Sequence, residues 1–336
     1  MKHNKLPSLI ISSESLKDLI RSHLSESSII ISDRYNYPTS KKIGKTTLVE
    51  SSSYSIVKKI TENYKYTRIL AVGGCTVLDV ARACAIGKEL IVFPTILSTT
   101  CISNNRSRIH FDTGSELIKT NSPLKTIISM PTLLHSSEDE LTRWTQSGFG
   151  DLFANISAAM DIQYKLNILS IEQVKENIPE VLDALKWVLL HYTTYDEQCL
   201  NKLAIYLHNS SLNVILRDNT DLSAGGEHHL YNKLYDYQKN NELISATHGQ
   251  IVGIGTLITA YVFCKMIENY ELYNNLKQAF KKLLIPHHYD GLNNIGIPKQ
   301  VLINALSDIS DKSSILGDFF SQNDFSILDE IFKKLS

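Results

Sequence analysis

Asp151, His228 and His248 stand in three stretches unlike ordinary helix sequence: "SGFGDLFAN" at 147–155, "GGEHHLYNKL" at 225–234 and "THGQIVGIGT" at 247–256. One carboxylate and two imidazoles form a donor set that leaves coordination positions open, as catalytic Zn2+ or Fe2+ requires. An ion held that way polarises a substrate oxygen. The spacing alone is not diagnostic, because the twenty residues from His228 to His248 are no zinc-finger interval. Taken singly, Asp151 also reads as an acid in the opening turn of a helix, complementing its dipole. Each histidine, one of eleven, also reads as a surface or satisfied polar residue.

A second stretch suits an anion. In "LAVGGCTVLDVA" (70–81), Gly73 and Gly74 close an apolar strand and a helix begins near Thr76. The unpaired amides and dipole of a helix start suit the pyrophosphate of a dinucleotide. The same glycines also read as a tight turn needing positive φ, and the run is not the GxGxxG fingerprint. Asp33, in "SDRYNY" (32–37), ends an earlier strand where a carboxylate could hold ribose hydroxyls, or it is a solvated loop acid.

The elements that must position these groups follow from patterning. Short β-branched runs at 8–12, 28–33, 46–51, 68–72, 90–95 and 126–130 read as strands, with amphipathic helices at 14–24, 54–64 and 76–86. Buried apolar strands alternating with helices imply an α/β, mainly parallel sheet covered on both faces. "RSRIHFDTGSELIK" (106–119) breaks that rhythm as a β-hairpin turning at Asp112-Thr113-Gly114. After about Ser136 long helical patterns run to the end. The expected division is a Rossmann-like dinucleotide-binding domain over 1–136 and an all-helical metal-binding and substrate domain over 137–336. No Pro-, Gly- or Ser-rich linker separates them, so they are expected to share an interface with a cleft, a favoured place for ligands.

Bulk properties narrow the partners. Thirty-four basic and thirty-five acidic residues give a net charge of -1, so no global field gathers nucleic acid or anionic membrane. With 43% hydrophobic residues the 336-residue chain can bury sizeable cores. Five scattered cysteines without a CxxC pair argue against a disulfide framework and fit a reducing, cytoplasmic setting. The apolar run near the N-terminus is too short for a signal segment, and no apolar stretch reads as approaching transmembrane length.

Together the pieces resemble the superfamily of glycerol dehydrogenases, iron-containing alcohol dehydrogenases, sn-glycerol-1-phosphate dehydrogenases and dehydroquinate synthases. The resemblance runs in order through "VGGCTVLDVAR", "FPTILSTT", "GFGDLFAN", "GGEHH" and "HGQIVGIGT", and the fourth looks most like the glycerol-1-phosphate dehydrogenase branch. It implies a Rossmann-like N-terminal domain joined to a helical C-terminal domain. It implies that Gly73, Gly74, Cys75, Thr76 and Asp79 line NAD or NADP, with Thr95 and Ser98 near its nicotinamide and pyrophosphate and Asp33 at the ribose. It assigns Asp151, His228 and His248 to Zn2+ or, alternatively, Fe2+. His228, following Glu227, matches the ligand position, whereas His229 falls where the family has an aliphatic residue. A homo-oligomer is also implied.

Several positions depart from the family. Cys75 replaces a third glycine, Arg82 replaces a lysine, and Thr100 stands where glycerol and glycerol-phosphate dehydrogenases carry an aspartate. Asn155, Gln250 and Asn232 replace a lysine, a glutamate and a second histidine. Thr100 and Asn232 are therefore candidates for the proton relay. Arg106 and Arg108 are candidates for a substrate phosphate, since guanidinium forks suit such oxygens, or are exposed hairpin charges. The expected activity is a metal-dependent, NAD(P)-linked oxidoreductase acting on a polyol or polyol phosphate. The alternatives are a dehydroquinate synthase-like lyase using NAD transiently, and a degenerate member that binds nucleotide without turnover.

Overall fold

The computed structural model of the chain describes residues 6–240, 244–322 and 324–333. The first part alternates β1 (Ser8–Ser12), α1 (Leu16–His23), β2 (Ser28–Ser32), α2 (Tyr37–Lys41), β3 (Thr46–Leu48), α3 (Tyr54–Asn63), β4 (Arg68–Gly73), α4 (Cys75–Cys84) and β5 (Glu89–Pro94). The hairpin β6 (Arg106–Phe111) and β7 (Gly114–Lys119) precedes β8 (Lys125–Ser129). Six strands form one all-parallel sheet in the order β1-β8-β5-β4-β2-β3.

Period-two alternation explains how one sheet serves two cores. Ile29, Ile31, Ile69 and Ala71 face α3 and α4, packing with Val57, Ile60, Val77 and Leu78. Ile30, Leu70, Val72 and Phe93 face the other way and pack with Leu19 and Ile20 of α1. The hairpin closes as expected, with Phe111 paired to Gly114 across Asp112-Thr113. β3 is shorter than the sequence suggested, and α2, opened by Pro38, was not foreseen.

The strand order fixes where a ligand can enter the sheet. From β2 the chain goes on to β3 on one side, whereas from the neighbouring β4 it goes through α4 to β5 on the other. Connections diverging from adjacent parallel strands open a crevice at their carboxyl ends. Asp33 and Gly73-Gly74 lie there.

The remaining elements are helical: α5 (Met130–Leu134), α6 (Glu138–Lys165), α7 (Ile171–Asn177), α8 (Pro179–His191), α9 (Glu197–Arg217), α10 (Gly226–Asn240), α11 (His248–Met266), α12 (Glu271–Lys282), α13 (Tyr289–Asn294), α14 (Lys299–Ser307), α15 (Ile315–Phe320) and α16 (Ile327–Phe332). Two compact units result, one of residues 1–145 with 195–218 and the other of 146–194 with 219–336. α9 joins the sheet because a buried polar network ties it there. Ser103 Oγ lies 2.7 Å from His208 Nδ1 and 2.6 Å from Thr126 Oγ1, and the Ser103 amide donates to Ser211 Oγ at 3.1 Å.

Two local readings are corrected. Asp151 is not in the opening turn of a helix but midway along the 28-residue α6, so a helix-start dipole does not explain it. α11, nineteen residues with mean hydropathy 1.3, is after all long and apolar enough to cross a membrane, but 83% of its most apolar window is buried within the protein. It is a core helix of the second unit.

Candidate metal centre

Two glycines bring the first pair of donors together. A Cβ on Gly249 would overlap the Ser147 carbonyl, and one on Gly150 would overlap the Gly249 carbonyl. Lacking side chains, the backbones of α6 and α11 meet. Asp151 and His248 each follow or precede one of those glycines, and Asp151 Oδ1 lies 2.9 Å from His248 Nε2. The start of α11 is fixed by a reciprocal cap. The Gln250 amide donates to Thr247 Oγ1 at 3.3 Å, and the Thr247 amide donates to Gln250 Oε1 at 2.9 Å. Gln250 Nε2 also donates to Gln146 Oε1 on α6 at 2.8 Å. The glutamine that departs from the family pattern thus has a structural task here.

The third donor comes from α10. His228 Nε2 lies 3.9 Å from Asp151 Oδ1, and one ligand atom from each of Asp151, His228 and His248 falls within 4.8 Å of the others. Bonds of about 2.1 Å to three corners of a tetrahedron place donors about 3.4 Å apart. The observed spread brackets that value, and an anionic oxygen with two imidazoles suits Zn2+ or Fe2+. Asp151 is 3% exposed and both imidazoles are partly exposed, so the open side of the set faces accessible space.

Beneath His228 lies a carboxylate that sequence reading noticed only as the residue before a ligand. Glu227 is fully buried, and its Oε1 accepts from the Gly225 amide at 2.6 Å and contacts His228 Nδ1 at 2.8 Å. Its Oε2 accepts from Ser157 Oγ of α6 at 2.9 Å. Burial alone pushes this carboxyl up, but the His228 hydrogen bond and the Gly225 amide hold the group below its ordinary value. Tyr231 was also missed. Its ring meets His248 edge-on, with centroids 4.3 Å apart.

The other candidates of this unit lie elsewhere. His229 turns to Asp311, 3.5 Å away, in accord with the preference for His228. Asn232 is exposed on α10, and Asn155 is buried one turn beyond Asp151.

The nucleotide turn is built differently. Gly73 has φ +152°, and a Cβ there would come within 2.5 Å of Asp33 Oδ2 and 2.8 Å of Val77 Cγ2. Gly74 occupies the N-cap of α4, with no side chain bonded to the helix start. Asp33 Oδ1 accepts from the amides of Tyr35 at 3.0 Å and Asn36 at 2.9 Å, and Asn36 Nδ2 reaches Thr95 Oγ1 at 3.3 Å. Asn36, not singled out from sequence, therefore links Asp33 to Thr95. The Thr95 amide donates to the Gly73 carbonyl at 3.3 Å. Asp33, Gly73 and Thr95 gather at the carboxyl ends of β2, β4 and β5, with Cys75 and exposed Thr76 opening α4.

The chain is 29% identical over 268 residues to the glycerol-1-phosphate dehydrogenase [NAD(P)+] of Methanococcus aeolicus, covering 75% of this chain and 73% of that one. It is 26% identical over 285 residues to the protein of that name from Sulfurisphaera tokodaii, covering 80% and 76%. A probable glycerol dehydrogenase from Sinorhizobium meliloti superposes with TM-score 0.68 at 13% identity, over 93% of this chain and 91% of that one. An iron-containing alcohol dehydrogenase from Corynebacterium glutamicum gives TM-score 0.59 at 11% identity, over 93% and 90%. No family model matches the chain. The chain is thus similar in sequence to glycerol-1-phosphate dehydrogenases and similar in fold to glycerol and iron-containing alcohol dehydrogenases.

Some of the expected cofactor residues have partners of their own. Asp79 Oδ1 accepts from Arg82 at 2.9 Å, and Cys75 Sγ lies 3.8 Å from the other oxygen. Arg82 is fully buried and also donates to the Cys101 carbonyl at 2.6 Å. A buried ion pair of this kind orients more than it stabilises, and it clamps α4 to the segment before the hairpin. Ser98 and Thr100 are buried, and the Thr100 carbonyl accepts from Ser211 Oγ. The Arg106 guanidinium donates to the carbonyl and carboxylate of Asp218 at 2.5 and 3.0 Å, closing α9 where Asp218 turns left-handed. Arg108 reaches Ser115 across the hairpin at 3.4 Å.

Proposed function

We propose that the chain is a metal-dependent, NAD(P)-linked oxidoreductase that moves hydride between nicotinamide and a polyol or polyol phosphate, as in glycerol-1-phosphate dehydrogenases. The observation that carries this reading is the convergence of Asp151, His228 and His248, with three donor atoms within 4.8 Å of one another. When bound, Zn2+ or Fe2+ supplies Lewis acidity toward a substrate oxygen and the nicotinamide supplies the hydride chemistry.

The protein's part is placement and electrostatics. Asp151 would bring one carboxylate, and His228 and His248 two neutral rings, to a divalent ion held there. The amides at the start of α4, beside Gly73 and Gly74, would receive the pyrophosphate, and Asp33 would hold the ribose hydroxyls. Thr95 and Ser98 complete the nucleotide side, while Thr100 and Asn232 remain proposals for proton transfer. Since Arg106 already serves Asp218, its role toward a substrate phosphate requires that pair to open.

The test is a chelation and re-addition assay. The protein is stripped of metal, then supplied with Zn2+ or Fe2+, NAD(H) or NADP(H), and sn-glycerol 1-phosphate or its ketone partner. The expected result is net oxidation or reduction of the nicotinamide that requires the metal. Conversion of a substrate with no net nicotinamide change would instead support the lyase, and nucleotide binding without any conversion would support the degenerate member.

A further inference from the structure

The ring of a metal-ligating histidine is only as useful as the proton on its other nitrogen is well placed. His228 Nδ1 faces Glu227 Oε1 at 2.8 Å, while its Nε2 faces Asp151. A carboxylate can only accept, so the Nδ1 position carries the proton and Nε2 keeps its lone pair for the ion. Glu227 is itself built in from three sides: Gly225 donates to Oε1 at 2.6 Å, Ser157 donates to Oε2 at 2.9 Å, and the residue is 0% exposed. Ser157 also contacts Thr256 of α11, at 3.1 Å between hydroxyl oxygens. A Cβ on Gly255 would come within 2.7 Å of Glu227 Cβ, so α11 presses against the glutamate backbone as well.

A second buried acid pins the same turn. Asp161 of α6 is 2% exposed and accepts from the Gly226 amide at 2.6 Å and the Ile315 amide at 2.8 Å. α6 therefore supplies the ligand Asp151 and also, through Ser157 and Asp161, the supports that fix how α10 presents His228.

We infer that Glu227 is a positioning residue that locks His228 in the Nδ1–H tautomer and aims Nε2 at the ion, with Ser157 holding the carboxylate in place. The inference rests on the metal-binding reading above, but its first test does not need a metal. Long-range 1H–15N correlation spectra of the metal-free, full-length protein show His228 protonated at Nδ1 and bare at Nε2. In Glu227→Ala that preference is lost, and Zn2+ affinity, read by competition with a chromophoric chelator, falls about 10- to 100-fold. Glu227→Gln, whose amide oxygen can still face Nδ1 and Gly225, restores the tautomer and most of the affinity. Ser157→Ala gives a fall of a few-fold and serves if Glu227→Ala does not fold. A His228 bare at Nδ1 in the wild type overturns the inference, as does undiminished Zn2+ affinity in folded Glu227→Ala. Wild-type protein with the Nδ1–H tautomer but no Zn2+ affinity would overturn the metal reading alone.

Discussion

The proposed nucleotide turn and the candidate metal centre are made of different material. The turn is backbone: a glycine at φ +152°, a bare helix start and the ends of three adjacent parallel strands. The metal centre is side chains, with donors as far apart in sequence as the 97 residues between Asp151 and His248. Backbone sites tolerate unusual neighbours, because amides bind whatever side chains surround them. In this chain Cys75 is the first residue of α4, and Asp79 is drawn into an internal ion pair with Arg82. A side-chain site depends on every donor and on the packing that brings them together.

The sharpest way to break that contrast is to remove a donor. Asp151→Ala should lower Zn2+ affinity by more than the roughly 100-fold that loss of a supporting residue produces. NAD(H) affinity should not change. Equilibrium competition for metal and fluorescence titration with nucleotide measure the two, and a parallel loss of nucleotide binding would show that the sites are not built independently.

Next in size is the helix contact. Gly249→Ala places a methyl group on the Ser147 carbonyl, where no flexible side chain can yield. Separating α6 from α11 should destabilise the second unit by about 3 kcal/mol and weaken Zn2+ binding, although no ligand has been touched. Chemical denaturation with and without Zn2+ checks this. Unchanged stability would mean that the glycine is there for some reason other than close approach.

Two buried groups, His208 in the first unit and Asp161 in the second, should respond to pH in opposite senses. Burial lowers the His208 imidazole from its ordinary 6.5, so α9 and its network keep their full stability above that value and lose it as pH falls through it. Asp161 goes the other way. Burial, followed by the nearby charge of Glu227, raises it from 3.8 to about 7 against the pull of the Ile315 and Gly226 amides. The stability this gives is complete below 3.8 and is lost as pH rises to about 7, with a local slope of up to about 1.4 kcal/mol per pH unit. Hydrogen exchange, corrected for intrinsic rates, should show α9 opening on acidification and the starts of α10 and α15 opening on approach to neutrality.

Most of the sheet could be read from the chain because strand patterning is local. The runs at 8–12 and 68–72 fall within a residue of β1 and β4, and α3 and α4 lie within a residue or two of their expected bounds. Asp151 was set in the wrong part of its helix because the glycines of "SGFGDLFAN" look like an interruption. Gly150 in fact sits inside a continuous helix and makes room for α11, a reason that exists only once the chain is folded. Glu227 was legible as a residue but not as a role, since its partner Ser157, 70 residues away, meets it only in three dimensions. α9 carried a helical pattern like its neighbours, and nothing local marks His208 and Ser211 as bonded to Ser103 beside the sheet. What tertiary contact decides, periodicity cannot show.

The smallest expected effect is the most discriminating one for the nucleotide turn. Gly73→Ala is uninformative about ligands, because its φ and the closeness of Asp33 and Val77 make any side chain destabilising by about 1–3 kcal/mol whatever binds there. Gly74 is different. Its φ of -86° and ψ of -168° are extended backbone open to any residue, and an added Cβ would meet the movable end of Ile96 at 3.0 Å. Alanine at this N-cap should therefore cost only about 0.5 kcal/mol of stability. If a pyrophosphate rests on the amides that follow, the new methyl group intrudes on its approach, and the NAD(H) dissociation constant should rise about tenfold, or 1.4 kcal/mol, in a protein that still melts near the wild-type temperature. If NAD(H) binds Gly74→Ala as tightly as the wild type, the two glycines are a turn and no more.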